Sequence, residues 1–159
     1  MKDNQKKLLI YGGVAVGAYY LIIKPFLIKL GIVESPQQAA QKEQQTQNIQ
    51  DYISSSTATQ QPTKGVGEWQ IISNQIYQDL KFSSIADNTS DAVAQLTRVK
   101  NGADFALLYQ TFGTRQKYFF GVPYGGLMDL QQFVTASLSN SDIAVINNNY
   151  SRKGIKYQF

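Results

Sequence analysis

An uncharged apolar run over residues 8–23, LLIYGGVAVGAYYLII, opens the hydrophobic pattern of the chain, and Lys24 and Pro25 follow it. Sixteen residues of helix span about 24 Å, and a bilayer core is about 30 Å thick. The run crosses a bilayer if the Lys24 ammonium extends to the headgroups, or if the helix continues to Ile32. We therefore predict a single-pass transmembrane anchor within residues 1–33. The alternatives are a buried soluble helix and a cleaved signal peptide, although no small-residue cleavage site follows the run.

Two glycines, Gly13 and Gly17, lie four residues apart within this run. A pair of glycines at this spacing makes a shallow groove on a membrane helix, and a second helix can approach closely there. The pattern predicts self-association of the anchor, and hence a homo-oligomer. The alternative is that glycine is simply frequent in membrane-spanning helices.

The polar pattern of residues 34–67 contrasts with the anchor. Half of residues 37–50 are glutamine, and apolar residues are few. A stretch of this composition buries too little surface to offset its loss of conformational entropy. The Gln, Ala and Lys residues allow a helix over 36–53 without an apolar stripe, whereas the Ser, Thr, Pro and Gly residues of 54–67 predict a loop. We therefore predict a Gln-rich, flexible and partly helical linker.

Helical periodicity returns over residues 68–159 and predicts a small domain of five helices. In each helix the apolar positions recur every three or four residues, as they do on one buried helix face. They are Trp69, Ile72, Ile76 and Leu80; Ala92, Val93, Leu96 and Val99; Phe105, Leu108 and Phe112; Leu127, Leu130, Val134 and Leu138; and Ile143, Ile146 and Tyr150. Asn101 and Ser139 are expected N-caps, and Gly113 and Gly154 are expected to end helices. The predicted fold class is therefore mainly α, with a single N-terminal transmembrane helix, a flexible linker and a small C-terminal five-helix domain.

The helical pattern breaks between Thr114 and Gly126, where TRQKYFFGVPYGG contains three glycines, a proline and four aromatic residues. An ordered loop or a short hairpin is expected here, and the expected strand content is low, limited to residues 118–124 and the tail 155–159. Aromatic residues and arginine dominate the energetics of protein interfaces. The predicted protein-contact residues of this segment are Arg115, Lys117, Tyr118, Phe119, Phe120 and Tyr124. Burial of Phe119 and Phe120 in the domain core is the alternative.

Composition and charge narrow the possible functions. The 159 residues include no His and no Cys, which excludes disulfides, thiol nucleophiles, imidazole bases and the usual zinc sites. The net charge of +4 belongs to residues 1–33, which contain five lysines and one acid, whereas residues 66–159 contain eight bases and seven acids. A nucleic-acid groove needs clustered bases in the folded part, so we predict no nucleic-acid partner. Along the sequence the bases of the domain occur as the pairs Arg98/Lys100, Arg115/Lys117 and Arg152/Lys153.

The predicted domain contains no recognisable catalytic motif. A glycosidase needs a shielded carboxylic acid in a cleft, and Glu68, the one glutamate of the domain, lies at a predicted helix start where an acid already has a structural role. No glycine-rich phosphate motif follows a predicted strand. Asp87, Asp91 and Asp104 are interpreted as caps and surface charges rather than as ligands of a hard cation. We therefore predict no enzymatic activity, no cofactor and no metal.

Four short segments carry a resemblance to a known helical unit. They are residues 101–104 (NGAD), 112–115 (FGTR), 129–130 (DL) and 147–155, which end in KGI. With these segments, residues 68–159 resemble a single compact annexin-repeat-like helical unit, similar to units of small proteins of bacteriophages and of bacteria of the Bacteroidetes type. Annexin repeats bind calcium through a glycine-rich loop and a distant acid, whereas residues 81–87 lack the glycines and one copy is present. The resemblance therefore does not imply calcium binding.

An anchor, a linker and a domain without catalytic groups predict a non-enzymatic adaptor that tethers a protein-binding domain to a lipid bilayer. The expected setting is a virion whose membrane lies beneath a protein shell, where the domain would link the membrane to the capsid or a vertex complex. The alternative is a bacterial inner-membrane protein whose periplasmic domain binds an envelope partner. A third alternative is cell-wall hydrolysis through Glu68. The expected location is accordingly a virion membrane or a bacterial inner membrane.

Overall fold

A computed structural model of the protein describes residues 36–82 and 88–159, and this part of the chain is mainly helical, as predicted. In chain order the elements are α1 (Pro36–Thr59), α2 (Val66–Leu80), α3 (Thr89–Leu96), α4 (Gly102–Phe112), β1 (Arg115–Phe119), β2 (Val122–Met128), α5 (Leu130–Ser137) and α6 (Asn140–Arg152). The two strands form an antiparallel hairpin between α4 and α5. Residues Glu43–Phe159 cluster as one unit.

The hydrophobic core is centred on α2 and α4, whose predicted apolar stripes are buried. The largest fully buried rings come from four different helices: Trp69, Phe105, Phe133 and Tyr150. Burying one such side chain stabilises a fold by about 1.5–3 kcal/mol. The three- and four-residue spacing of the sequence therefore identifies most of the core correctly.

The predicted helix caps at Asn101 and Ser139 are confirmed. The Asn101 side-chain oxygen accepts a hydrogen bond from the Asp104 N–H at 2.8 Å, and the Ser139 hydroxyl oxygen accepts one from the Asp142 N–H at 3.2 Å. Each bond satisfies an N–H group that has no partner within its helix. Gly113 follows the last residue of α4, as predicted, and its N–H donates to the Tyr109 carbonyl at 3.1 Å.

Leu127 is a stripe residue that the sequence pattern misplaced. It lies in β2 and is exposed, because α5 begins only at Leu130. The Asp129 carboxylate accepts a hydrogen bond from the Gln132 N–H at 2.9 Å, and the Gln132 side-chain oxygen accepts one from the Asp129 N–H at 3.3 Å. This reciprocal cap fixes the start of the helix and leaves residue 127 outside it.

Helix α1 is longer and better packed than the predicted linker. It continues to Thr59, through residues for which the sequence predicts a loop. Ile49, Ile53 and Ser56 are buried, and their spacing of four and three residues places them on one helix face. The prediction that a helix here has no apolar stripe is therefore wrong. The stripe is short and surrounded by glutamine, so the composition of the segment conceals it.

A glycine at the start of α4 permits the close approach of α1. A Cβ atom built on Gly102 would lie 2.5 Å from the Ser56 hydroxyl oxygen and 2.8 Å from the Tyr52 hydroxyl oxygen. The Gly102 N–H donates instead to the Gln60 side-chain oxygen at 2.8 Å, and the Asn101 side chain donates to the Gln61 carbonyl at 2.9 Å. The residues that follow α1 are thus held against the start of α4 by hydrogen bonds between backbone and side-chain groups.

The C-terminal tail packs on the domain. Tyr157 belongs to the hydrophobic core, and Phe159 packs against it. The Tyr157 ring stacks on the Phe105 ring with centroids 3.9 Å apart, and the Phe159 N–H donates to the Asn147 side chain at 2.9 Å. The expected strand in residues 155–159 is wrong, because the tail makes ring contacts with the core instead of pairing with the hairpin.

The predicted anchor, with Gly13 and Gly17, lies outside the described residues. Over residues 36–82 and 88–159, no helix combines the length and the apolar character needed to cross a membrane.

Candidate protein-contact hairpin

The break in the helical pattern after α4 is a hairpin, one of the two structures that the sequence predicts there. Arg115 pairs with Met128, and Gln116 pairs with Leu127, but the next pair is Lys117 with Tyr124. Extra residues in β2 therefore interrupt the ladder next to Lys117, as in a β-bulge. The outer half of the hairpin is thereby set apart from its base.

Phe120 and Gly121 form the two-residue turn between the strands, with φ angles of 47° and 79°. A hairpin turn with positive φ at both central residues normally takes Asn-Gly, because these residues tolerate the left-handed region. Gly121, at the second turn position, meets this requirement. Phe120, at the first position, does not, and a left-handed conformation of an aromatic residue costs on the order of 1 kcal/mol. Within the described ranges Phe120 is the only residue other than glycine with positive φ. A backbone strain at Phe120 that the turn does not require points to a role outside folding.

The apolar side chains around this turn face solvent. Phe119, Phe120 and Val122, which we term the hairpin tip, expose 50%, 75% and 65% of their surface. The two phenylalanine rings lie edge to face, with centroids 4.7 Å apart. The alternative that Phe119 and Phe120 are buried in the core is therefore wrong. Adjacent exposed apolar residues of this size commonly mark a surface that another molecule covers.

Lys117 attaches the hairpin to the C-terminal end of α2. Its ammonium group donates to the Leu80 carbonyl at 2.7 Å, to the Phe82 carbonyl at 3.1 Å and to the Ser137 hydroxyl oxygen at 2.7 Å. The side chain is only 4% exposed. A positive charge is favourable at a helix C-terminus, where carbonyl groups lack partners within the helix. Lys117, predicted as a contact residue, is thus corrected to a buried residue that positions the hairpin.

Arg115 holds the base of β1 against α2 and α4. Its Nε donates to the Phe112 carbonyl at 2.9 Å, and its Nη2 donates to the Asn74 side-chain oxygen at 2.8 Å. The guanidinium also lies 5.0 Å from the centroid of the Tyr77 ring. Burial lowers the pKa of Arg115, although an arginine remains charged in proteins. Its contacts are therefore directed toward the domain.

The predicted contact set of six residues divides in two. Tyr118 is half buried, and its N–H donates to the Lys81 carbonyl at 2.8 Å, so it fixes the strand together with Arg115 and Lys117. Phe119 and Phe120 are exposed at the tip, while Tyr124 lies in β2 opposite Lys117. Val122 and Leu127 are also exposed, although the sequence pattern does not predict a contact at either residue. The Phe-Gly dipeptide between residues 119 and 122 was the signal that could have indicated a two-residue turn.

Asp79 lies at the same end of α2, one residue before Leu80, and its side chain is buried. Its Oδ1 accepts a hydrogen bond from the Gln75 side chain at 2.9 Å, and its Oδ2 has no partner among the described residues. Burial raises the pKa of Asp79 above its usual value; the Gln75 hydrogen bond opposes this shift, and the negative charge of Asp91 adds to it. The ionised carboxylate is therefore destabilising at this position.

We expect Asp79→Asn to raise the melting temperature modestly at about pH 7 and to leave it nearly unchanged at about pH 3. Because the pKa of Asp79 is raised in the folded state, its protonated form stabilises the fold at a pH below the unfolded pKa. This contribution of Asp79 is lost as the pH rises through the folded pKa, and the neutral Asn side chain avoids the loss. Thermal unfolding of both chains at the two pH values measures the difference. Asp51→Asn, on the exposed surface of α1, controls for the change in net charge. A variant that melts below wild type at neutral pH contradicts the prediction.

Glu68, considered above as a general acid, caps α2. Its Oε1 accepts a hydrogen bond from the Lys64 ammonium at 2.8 Å, and its Oε2 accepts one from the Gly65 N–H at 3.4 Å. The hydrogen bond from Lys64 holds the pKa of Glu68 below its usual value, whereas a general acid needs a raised pKa. Within residues 36–82 and 88–159, no three His, Cys, Asp or Glu side chains converge as metal ligands.

No protein-family model, no curated protein and no solved structure matches the chain. The resemblance of residues 68–159 to an annexin-repeat-like unit therefore stays a prediction.

Proposed function

We propose that the protein is a non-enzymatic adaptor that tethers a small helical domain to a lipid bilayer and binds a protein partner through the hairpin tip. The apolar run of residues 8–23 supports the membrane attachment. The strained and exposed Phe120 at the tip is the observation that carries the protein contact. The proposed setting is a virion membrane beneath a protein shell, and a bacterial inner membrane is the alternative.

The proposed partner has an apolar pocket that receives the Phe119–Phe120 ring pair. Aromatic anchors that enter a desolvated pocket supply much of the binding energy at protein interfaces. A loop that inserts into lipid would be expected to display basic residues beside its rings. The two basic residues of β1 do not fill this role, because Arg115 and Lys117 are directed toward the domain. The charge arrangement therefore favours a protein over a lipid surface.

Site-specific photocrosslinking of the full chain tests this contact. A photoreactive phenylalanine analogue replaces Phe120 in one chain and Ile71 in a control chain, since Ile71 is an exposed apolar residue of α2 outside the hairpin. We expect position 120 to form one discrete protein adduct in particles or cell envelopes, and position 71 to form none. Adducts with lipid alone, or the same adducts from both positions, would contradict the proposal.

Phe120→Asn is expected to separate binding from stability. Asn tolerates a positive φ better than Phe, so the variant should melt at the same temperature as wild type or higher. Loss of an aromatic anchor should weaken partner binding about tenfold or more. Thermal unfolding and quantitative crosslinking from position 119 measure the two effects. A variant that melts lower and binds equally well would show that Phe120 has a structural role instead.

Membrane attachment is tested separately by extraction of the full chain. We expect the chain to remain with the membrane pellet at high salt and at alkaline pH, and to be released by detergent. Release without detergent would contradict the anchor while leaving the crosslinking result intact. The two halves of the proposal can therefore fail independently.

A further inference from the structure

Basic residues that are scattered along the sequence meet beside the N-terminal end of α2. A surface depression of about 540 Å³ is lined by Lys64, Thr97, Arg98, Lys100 and Lys153. We term its four basic residues the basic pocket. Along the sequence these side chains are isolated, because Lys64, the 98–100 pair and the 152–153 pair are far apart.

A buried carboxylate draws two sides of the basic pocket together. Asp104 is fully buried, and it accepts hydrogen bonds from the Thr63 N–H at 2.6 Å, the Thr63 hydroxyl at 2.9 Å and the Lys100 N–H at 3.0 Å. Thr63 immediately precedes Lys64. The backbone positions of Lys64 and Lys100 are therefore fixed by the same side chain. The interpretation of Asp104 as a surface charge is wrong, since its oxygens are occupied inside the domain.

Lys153 forms a third side of the basic pocket, contributed by the end of α6. Its ammonium group donates to the Thr97 carbonyl at 2.6 Å and to the Val99 carbonyl at 2.8 Å. Burial lowers the pKa of Lys153, and the positive charges of Lys100 and Arg152 lower it further, against an opposing effect of Asp104. The pocket therefore holds like charges close enough to repel one another.

The charges around the basic pocket do not cancel. Glu68 is paired with Lys64 at 2.8 Å, and Asp104 is the other acid in the cluster. Against these two acids stand five bases, which are the four pocket residues and Arg152, so the local net charge is about +3. Over the described ranges the side chains of Arg98 and Lys100 make no hydrogen bond or ion pair. Two cations without partners beside a depression suit an anionic ligand.

We propose that the basic pocket binds a phosphate group. Phosphate oxygens accept charge-assisted hydrogen bonds from several bases at once, which arginine and lysine both supply. A depression of about 540 Å³ has room for a diphosphate or for the headgroup of an anionic phospholipid. Both ligands present the same chemistry, a phosphate group with net negative charge. The site is independent of the hairpin contact, because it lies at the other end of α2.

Calorimetric titration of the full chain in a neutral detergent tests the proposal. The probes are inorganic pyrophosphate, short-chain dihexanoyl phosphatidylglycerol below its micelle concentration, and dihexanoyl phosphatidylcholine as the uncharged lipid. The variant Arg98→Gln/Lys100→Gln removes the two unpartnered cations. Lys81→Gln is the control for the loss of a lysine charge outside the pocket, since Lys81 lies at the opposite end of α2.

We expect the wild-type chain and the Lys81→Gln control to bind alike, and the double variant to bind at least about tenfold more weakly, because each charge-assisted hydrogen bond contributes about an order of magnitude in affinity. Binding of pyrophosphate identifies a soluble phosphate as a source, and binding of the phosphatidylglycerol probe alone identifies a lipid headgroup. The proposal is overturned if neither anion binds, if phosphatidylcholine binds equally well, or if the double variant retains wild-type affinity. Circular dichroism confirms that the double variant is folded, as expected for side chains without partners.

Discussion

Replacing Lys117 by Met is expected to lower the free energy of unfolding by about 3 kcal/mol, since each buried polar group left without a partner costs about 1–3 kcal/mol. Methionine is also unbranched and only one heavy atom shorter than lysine, but it removes all three donors. The Leu80 and Phe82 carbonyls at the end of α2 then lose the ammonium group that binds them, and the Ser137 hydroxyl loses it as well. Relief of the desolvation cost of a buried charge offsets only part of this loss. Chemical denaturation of the full chain in neutral detergent measures the change.

Lys81→Met is the matched control for this experiment. Lys81 also lies at the end of α2, but its ammonium group donates to the Gln78 side chain at the surface. A surface substitution of this kind usually changes stability by less than about 0.5 kcal/mol. If Lys117→Met is as stable as the control, the hydrogen bonds of Lys117 do not fix the hairpin. Hydrogen exchange of β1 and β2 would then also remain at its wild-type rate.

The sequence predicts the helices that bury a regular stripe, because repeated apolar spacing reports directly on burial. The stripe of α2 illustrates this, with Trp69, Ile72, Ile76 and Leu80 all buried. The caps at Asn101 and Ser139 show that local hydrogen bonds can also be predicted from the sequence. Such features depend on residues within a few positions of one another. They need no knowledge of the rest of the chain.

The features that the sequence did not predict depend on residues far apart along the chain. Ile49 and Ile53 are buried because α1 approaches α4 closely at Gly102, where a side chain would collide with α1. The sequence near α1 gives no sign of this close approach. The position of Lys117 is set by carbonyls of residues 80 and 82, so its surface chemistry suggested a contact that the fold does not allow. The basic pocket likewise exists only after folding.

The two candidate surfaces lie at opposite ends of one helix. Helix α2 has 15 residues and is therefore about 22 Å long. Lys64 lies just before its first residue, and Leu80, which binds Lys117, is its last. An adaptor needs two separate contacts, and this spacing allows a phosphate-bearing ligand and a protein to bind the domain at the same time. Variants at one end are accordingly expected to leave binding at the other unchanged.

Asp104→Asn is expected to lower the free energy of unfolding by about 3 kcal/mol, because it removes hydrogen bonds to a buried charge and leaves a buried donor without a partner. One oxygen of Asp104 accepts from the Thr63 N–H, and the other accepts from the Lys100 N–H and the Thr63 hydroxyl. An amide has only one oxygen, so in either orientation its NH₂ group faces a backbone N–H. The Thr63 hydroxyl can reverse its bond, but an N–H group cannot.

A graded series of variants distinguishes this mechanism from a general effect of charge. Thr63→Val removes only the hydroxyl donor and should cost about 1 kcal/mol, whereas the exposed Asp51→Asn should cost less than about 0.5 kcal/mol. Denaturant titration of the three variants should therefore rank Asp104→Asn as the least stable and Asp51→Asn as the most stable. Equal stability of Asp104→Asn and Asp51→Asn would show that the buried carboxylate does not join the two segments.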